Sequence, residues 1–260
     1  MPLSKADTAA AGVLVLLGLM GAKKASASTG KKAPGGLPPP VDANKDIAAL
    51  LKRANQKDAA AWSVVFADLP DHPVSPLTAA ALSRWAGIES SGIPVGPKNP
   101  SRLDERGLMQ AGPAAVAEGE LTQAEFDALK DKKTTRGVQA ALAVKYVDAL
   151  ANKAMTYVLH PPKDPIFLIW YSKLWHQRPV DVRDAGLVPL VDGKPQLSPT
   201  GHPAGMTGDA QADARALVER YSMELANARA LPNPAGADAA EKALHRLRAA
   251  NVVAFGTGTP

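Results

Sequence analysis

Apolar residues recur at helical spacing over most of this chain, and the clearest case is the stretch ending at Glu89. Leu77, Ala80, Ala81, Trp85 and Ile88 follow the helical repeat, Ser75 suits the N-cap and Pro76 the first helical position, so the pattern predicts a helix over 76–89. Leu82, Trp85 and Ala86 precede Glu89 by seven, four and three residues, which sets its carboxylate on their side of the helix. Apolar surroundings are expected there. Desolvation disfavours the charged form and the last helical turn adds the negative end of the helix dipole, so both would push the Glu89 pKa upward. The ordinary alternative is a carboxylate that ends the helix and faces water.

The same periodicity organises the rest. Ile47, Leu50, Leu51 and Ala54, then Trp62, Val65 and Phe66, predict one or two helices packed under the Glu89 helix, broken at 69–73, a turn that holds His72. Thr122 and Glu125 form a capping box opening a short helix to about Lys130. Val138, Leu142, Tyr146 and Leu150 recur every four residues on a helix over about 135–159, read as the core helix. Asp164-Pro165 starts another, containing IFLIWYSKLW. The Pro/Gly-rich span 177–208 is expected to hold at most a short turn or hairpin, at 188–193. Alanine-rich helices follow over 209–230 and 237–249, and 256–260 reads as a disordered tail.

Composition agrees with a mainly α fold: of 260 residues 46% are apolar, alanine dominates them, and only 5% are aromatic. The absence of cysteine excludes disulfides, cysteine nucleophiles and thiolate metal sites. Residues 8–22 form an uncharged apolar run between Lys5 and Lys23-Lys24, shorter than the roughly 20 residues that span a bilayer, with Ala25-Ser26-Ala27 as a small-residue cleavage site. Residues 1–27 therefore read as a signal peptide or short membrane anchor, with a buried N-terminal helix as the alternative. The reading implies export to the periplasm or cell envelope and membrane contact through 8–22. Residues 28–44 read as a Gly/Pro/Lys-rich linker, 45–176 as the folded domain and 177–260 as a helical C-terminal extension. Lys5, Lys23, Lys24, Lys31 and Lys32, against Asp7, hold four of the five net positive charges. The remainder is nearly neutral, which argues against nucleic acid as a partner, whereas the basic segment suits anionic wall polymer or lipid headgroups.

His160, His176, His202 and His245 are scattered without paired ligand spacing, so no metal and no cofactor is expected. The chemistry lies elsewhere. Ile88-Glu89-Ser90-Ser91-Gly92, then Ser101, then Gly107-Leu108-Met109-Gln110 resemble the signature of the lytic transglycosylase family, whose fold is similar to goose-type lysozyme. The resemblance covers roughly 77–175, and Ser101 stands six positions before Gly107, as the family pattern requires. It implies a lysozyme-like helical domain in which Glu89 is the catalytic acid, Ser101 supports the substrate or the acid, and Met109 and Gln110 line the sugar groove. Trp170-Tyr171-Ser172 resembles the family's Ala-Tyr-Asn piece, which implies that Tyr171 sits near the acid; its alternative is core packing. Trp175 is either a sugar-stacking ring or core.

Two departures stand out. The loop between Glu89 and Gly107 is about three residues longer than the family pattern and stiffened by Pro94, Pro97 and Pro100. The family's Gly-Ala is here Asp104-Glu105, either of which could be a second carboxylate or could pair with Arg102 or Arg106. The resemblance implies cleavage of the MurNAc-GlcNAc bond in peptidoglycan glycan strands with closure of a 1,6-anhydro ring. A hydrolytic muramidase of the same fold, using Asp104 or Glu105, is the first alternative. A non-catalytic wall-binding or virion structural protein is the second, and a phage virion is the alternative location.

Overall fold

Helix follows the apolar spacing through most of the residues that the computed structural model describes: 41–71, 74–94, 104–177, 179, 182, 190–191, 194–195, 206–230 and 236–260. The expected signal or anchor and nearly all of the linker lie outside them, as do Ser101, Arg102, His72 and His202. Among the described residues no helix is long and apolar enough to cross a membrane. The architecture is mainly α. Three helices occupy the region read as one or two: α1 (Ala43–Ala54), α2 (Lys57–Ala60) and α3 (Trp62–Ala67). Then come α4 (Pro76–Ser90), α5 (Ala114–Ala117), α6 (Gln123–Ala128), α7 (Arg136–Met155) and α8 (Pro165–Gln177). A two-residue antiparallel pair, β1 (Leu190–Val191) with β2 (Lys194–Pro195), sits where a short hairpin is expected, and α9 (Ala210–Ala230) and α10 (Ala237–Phe255) follow.

The end signals read from sequence are built as hydrogen bonds. Ser75 Oγ accepts from Thr78 N at 3.2 Å to cap α4, with Pro76 in the first turn, and Thr122 and Glu125 make the reciprocal capping box of α6. Thr135 caps α7. That helix ends at Met155 rather than near 159, because the chain turns there and Leu159 N donates to Met206 O at 2.7 Å. α4 is buried on nearly all sides, with only Pro76 and Leu77 at its start exposed. It crosses α1 closely at Gly87, where a Cβ would lie 2.6 Å from the Arg53 carbonyl oxygen.

Two hydrophobic clusters flank α8. The first gathers Leu50, Phe66, Leu82, Trp85, Leu108, Phe126, Tyr146 and Ile169 around α4 and α7. The second gathers Trp170, Tyr171, Leu174, Leu217 and Leu247 between α8, α9 and α10. Residues 39–260 form one compact unit, and α10 packs on α1, α4 and α8, so the segment read as a C-terminal extension builds part of the same body. The tail is ordered as well, contrary to expectation: Gly258 is buried against Ile47, leaving no room for a Cβ, and its carbonyl accepts from Asn251 Nδ2 at 3.5 Å.

Candidate functional site

Glu89 occupies the last turn of α4, one residue before Ser90 ends the helix and two before Ser91 turns the chain through a left-handed conformation (φ 59°). Its side chain keeps 16% of its surface exposed beside the fully buried Trp85. The expectation of an apolar setting fails, because cations converge on this helix end. Lys173, on α8 and without exposure, donates to Glu89 Oε1. Arg53 reaches from α1 to the Ile88 carbonyl and so neutralises the negative end of α4. Burial alone would raise the Glu89 pKa, but the charges of Lys173, His176 and Arg53 and the Lys173 hydrogen bond outweigh it and lower the pKa to about 2. The predicted upward shift is therefore reversed, and Glu89 rests as a carboxylate.

Around this pair α8 and α7 complete a polar cage. The Gln177 amide fits with its oxygen accepting from Lys173 Nζ at 3.2 Å and its nitrogen donating to the Arg246 carbonyl of α10 at 3.2 Å. Lys173 Nζ also lies 5.0 Å from the centre of the Trp85 ring, so its three N–H groups have a carboxylate, an amide and an aromatic face. His176 stands 5.8 Å from Trp85 centre to centre, and its Nδ1 is 3.1 Å from the Tyr146 hydroxyl. Burial pushes the Tyr146 hydroxyl up, and the negative charges of Glu120 and Glu89 add to that, so it stays protonated. Burial lowers the Lys173 pKa against the opposing pull of Glu89.

The other sequence-predicted residues fare unequally. Glu105 is half-buried, and its charge acts on both Lys173 and Tyr146, which sets it on the Glu89 side; Asp104 is exposed. Arg106 does not serve as a brace for Asp104. It bonds Asp127 at 2.7 Å and lies over the Phe126 ring. Met109 and Gln110, expected to line the groove, are each 2% exposed. Met109 joins the first cluster and Gln110, at φ 51°, donates to the Gly107 carbonyl at 2.9 Å, so both shape the turn between Arg106 and Ala111. Tyr171 also requires correction. Two residues along a helix from Lys173 it points the opposite way, into the second cluster, where its hydroxyl donates to the buried Asp213 at 2.5 Å. Trp175 stacks on Tyr157 at 5.4 Å. Among the described residues no three His, Asp or Glu side chains gather as a metal ligand set would.

Sequence reasoning missed Lys173, His176, Gln177, Tyr146 and Arg53 as site residues. A signal for three of them was present: Lys173, His176 and Gln177 are spaced three and four apart, a polar stripe on an otherwise apolar helix. Comparison with family models, curated proteins and solved structures finds no match to this chain. The functional reading rests on its own residues.

Proposed function

We propose that this chain is a peptidoglycan lytic transglycosylase with a lysozyme-like helical domain, and that Glu89 is its acid. The observation that carries the reading is a glutamate in the last turn of a buried helix whose Oε1 is held by the buried Lys173 while the side chain keeps 16% of its surface open to solvent. In this reaction Glu89 protonates the oxygen bridging MurNAc and GlcNAc while the muramyl N-acetyl oxygen attacks its own anomeric carbon. The carboxylate then takes the proton of the muramyl C6 hydroxyl as the 1,6-anhydro ring closes. The resting carboxylate suits the second half; the first half requires that Glu89 gain a proton once the glycan is bound. Residues 1–27 would export the chain to the cell envelope, with a phage particle as the alternative setting, and the partner is the glycan strand.

Purified full-length protein incubated with peptidoglycan sacculi tests the reading. The wild type is expected to clear them and Glu89→Gln, which keeps size but cannot donate a proton, is expected to lose activity by on the order of a hundredfold or more. Full activity in the variant would remove Glu89 from the mechanism, and no activity in either chain would favour a non-catalytic wall-binding or virion structural protein. The resting ionisation of Glu89 keeps a second reading, a hydrolytic muramidase in which Glu89 activates water and Glu105, on the same side, acts as the acid.

A further inference from the structure

A proton donor that rests as a carboxylate needs a source for its proton, and the neighbour of Glu89 is built as one. Lys173 has no solvent exposure, and its ammonium is enclosed by Glu89 Oε1, the Gln177 amide oxygen at 3.2 Å and the Trp85 face. Glu89 retains contact with water only through the 16% of its side chain that stays exposed. A saccharide lying over that edge would withdraw the remaining solvent. In a site of that polarity two opposite charges are costly to keep, and the neutral acid and amine become the better-solvated pair. Lysine, unlike arginine, readily gives up its proton when desolvated.

We propose that Lys173 is a positioning residue that stores the proton of Glu89: it holds the carboxylate at rest and passes its proton to Oε1 when a glycan strand closes the site. This rests on the transglycosylase reading. The transfer converts ammonium and carboxylate into amine and carboxylic acid. Glu89 then gives the proton to the bridging oxygen as the anomeric C–O bond breaks, recovers one from the C6 hydroxyl as the new C–O bond forms, and returns it to the Lys173 amine. No proton, water or electron is left over. Arg53 from α1 and His176 from α8 act on the Glu89 charge, Glu89 acts in turn on Tyr146 of α7, and Glu105, before Gly107, acts on Lys173 and Tyr146, with the Arg246 carbonyl behind Gln177. Of the cations that act on Glu89, Lys173 donates directly to its Oε1, whereas His176 Nδ1 is paired with the Tyr146 hydroxyl.

The test follows the Glu89 carboxyl by carbon NMR and the pH profile of sacculus cleavage in the full-length wild type, Lys173→Met and Lys173→Arg. Methionine removes the charge, so the Glu89 midpoint should rise by at least about two pH units and cleavage should acquire an acid limb at the new midpoint. Arginine keeps the charge but cannot release its proton, so the midpoint should stay low while cleavage at neutral pH falls by on the order of a hundredfold. Wild-type cleavage rates in Lys173→Arg, or an unmoved Glu89 midpoint in Lys173→Met, would overturn the proposal. If one variant does not fold, the other still decides, since each has its own readout. A wild type that fails to cleave glycan sinks the enzymatic reading instead, while the Lys173→Met midpoint independently reports whether Lys173 governs Glu89.

Discussion

Lys173 of α8 and Glu89 of α4 form an ion pair whose cation is wholly buried and whose anion keeps a small exposed edge. The pair joins helices that are 84 residues apart in sequence, at a position where α4 ends and α8 passes between the two hydrophobic clusters. Taking one partner away leaves a buried charge without compensation, which typically costs about 3–5 kcal/mol.

Acid should weaken this fold through Glu89. Its pKa in the folded chain is about 2, below the ordinary value of 4.5, so its contribution is complete above pH 4.5 and disappears as the pH falls through 2. The shift corresponds to on the order of 3 kcal/mol. Denaturant titrations of wild type and Glu89→Gln should differ by about that amount at pH 6 and converge near pH 2. A difference that is independent of pH would contradict the depressed pKa.

The two tyrosines should separate cleanly. Tyr171→Phe removes one donor from Asp213, which retains Thr207 N at 2.9 Å and Thr207 Oγ1 at 2.7 Å, so it should cost about 1–3 kcal/mol of stability and leave glycan cleavage at the wild-type rate. Tyr146→Phe removes the hydroxyl that meets His176 Nδ1 near Glu89 and should lower the cleavage rate beyond any change in stability. Thermal melts paired with cleavage rates check both. The reverse pattern would return Tyr171 to the site.

Gly87→Ala would set a methyl 2.6 Å from the Arg53 carbonyl oxygen and 2.8 Å from that of Ala54, both backbone atoms, forcing α1 away from α4. The expected cost is about 1–3 kcal/mol in chemical denaturation. Because Arg53 also holds the Ile88 carbonyl, the variant should raise the Glu89 midpoint too. Unchanged or improved stability would show that the crossing is looser than this geometry.

How far the sequence could be read depended on the range of the interaction. The limits of α4, the capping box of α6 and the position of Glu89 on the Leu82 and Trp85 side depend on neighbours within a turn or two, and local spacing is enough to find them. The charge state of Glu89 depends on Lys173, Arg53 and His176, brought from α8 and α1 by packing that no local pattern encodes. Met109 and Gln110 depart from the sequence expectation for a related reason: whether a turn shows or hides its side chains is set by the cluster beneath it. The polar stripe of Lys173, His176 and Gln177 was legible, yet only the fold says that it meets Glu89.

Mass spectrometry of peptidoglycan digested by the full-length protein distinguishes non-hydrolytic cleavage through Glu89 from hydrolysis. A 1,6-anhydromuramyl end weighs one water less than a hydrolysed end, so each product records its own mechanism. Anhydro ends are expected from the wild type and none from Glu89→Gln. Reducing muramic ends in their place would contradict non-hydrolytic cleavage and establish the hydrolytic reading.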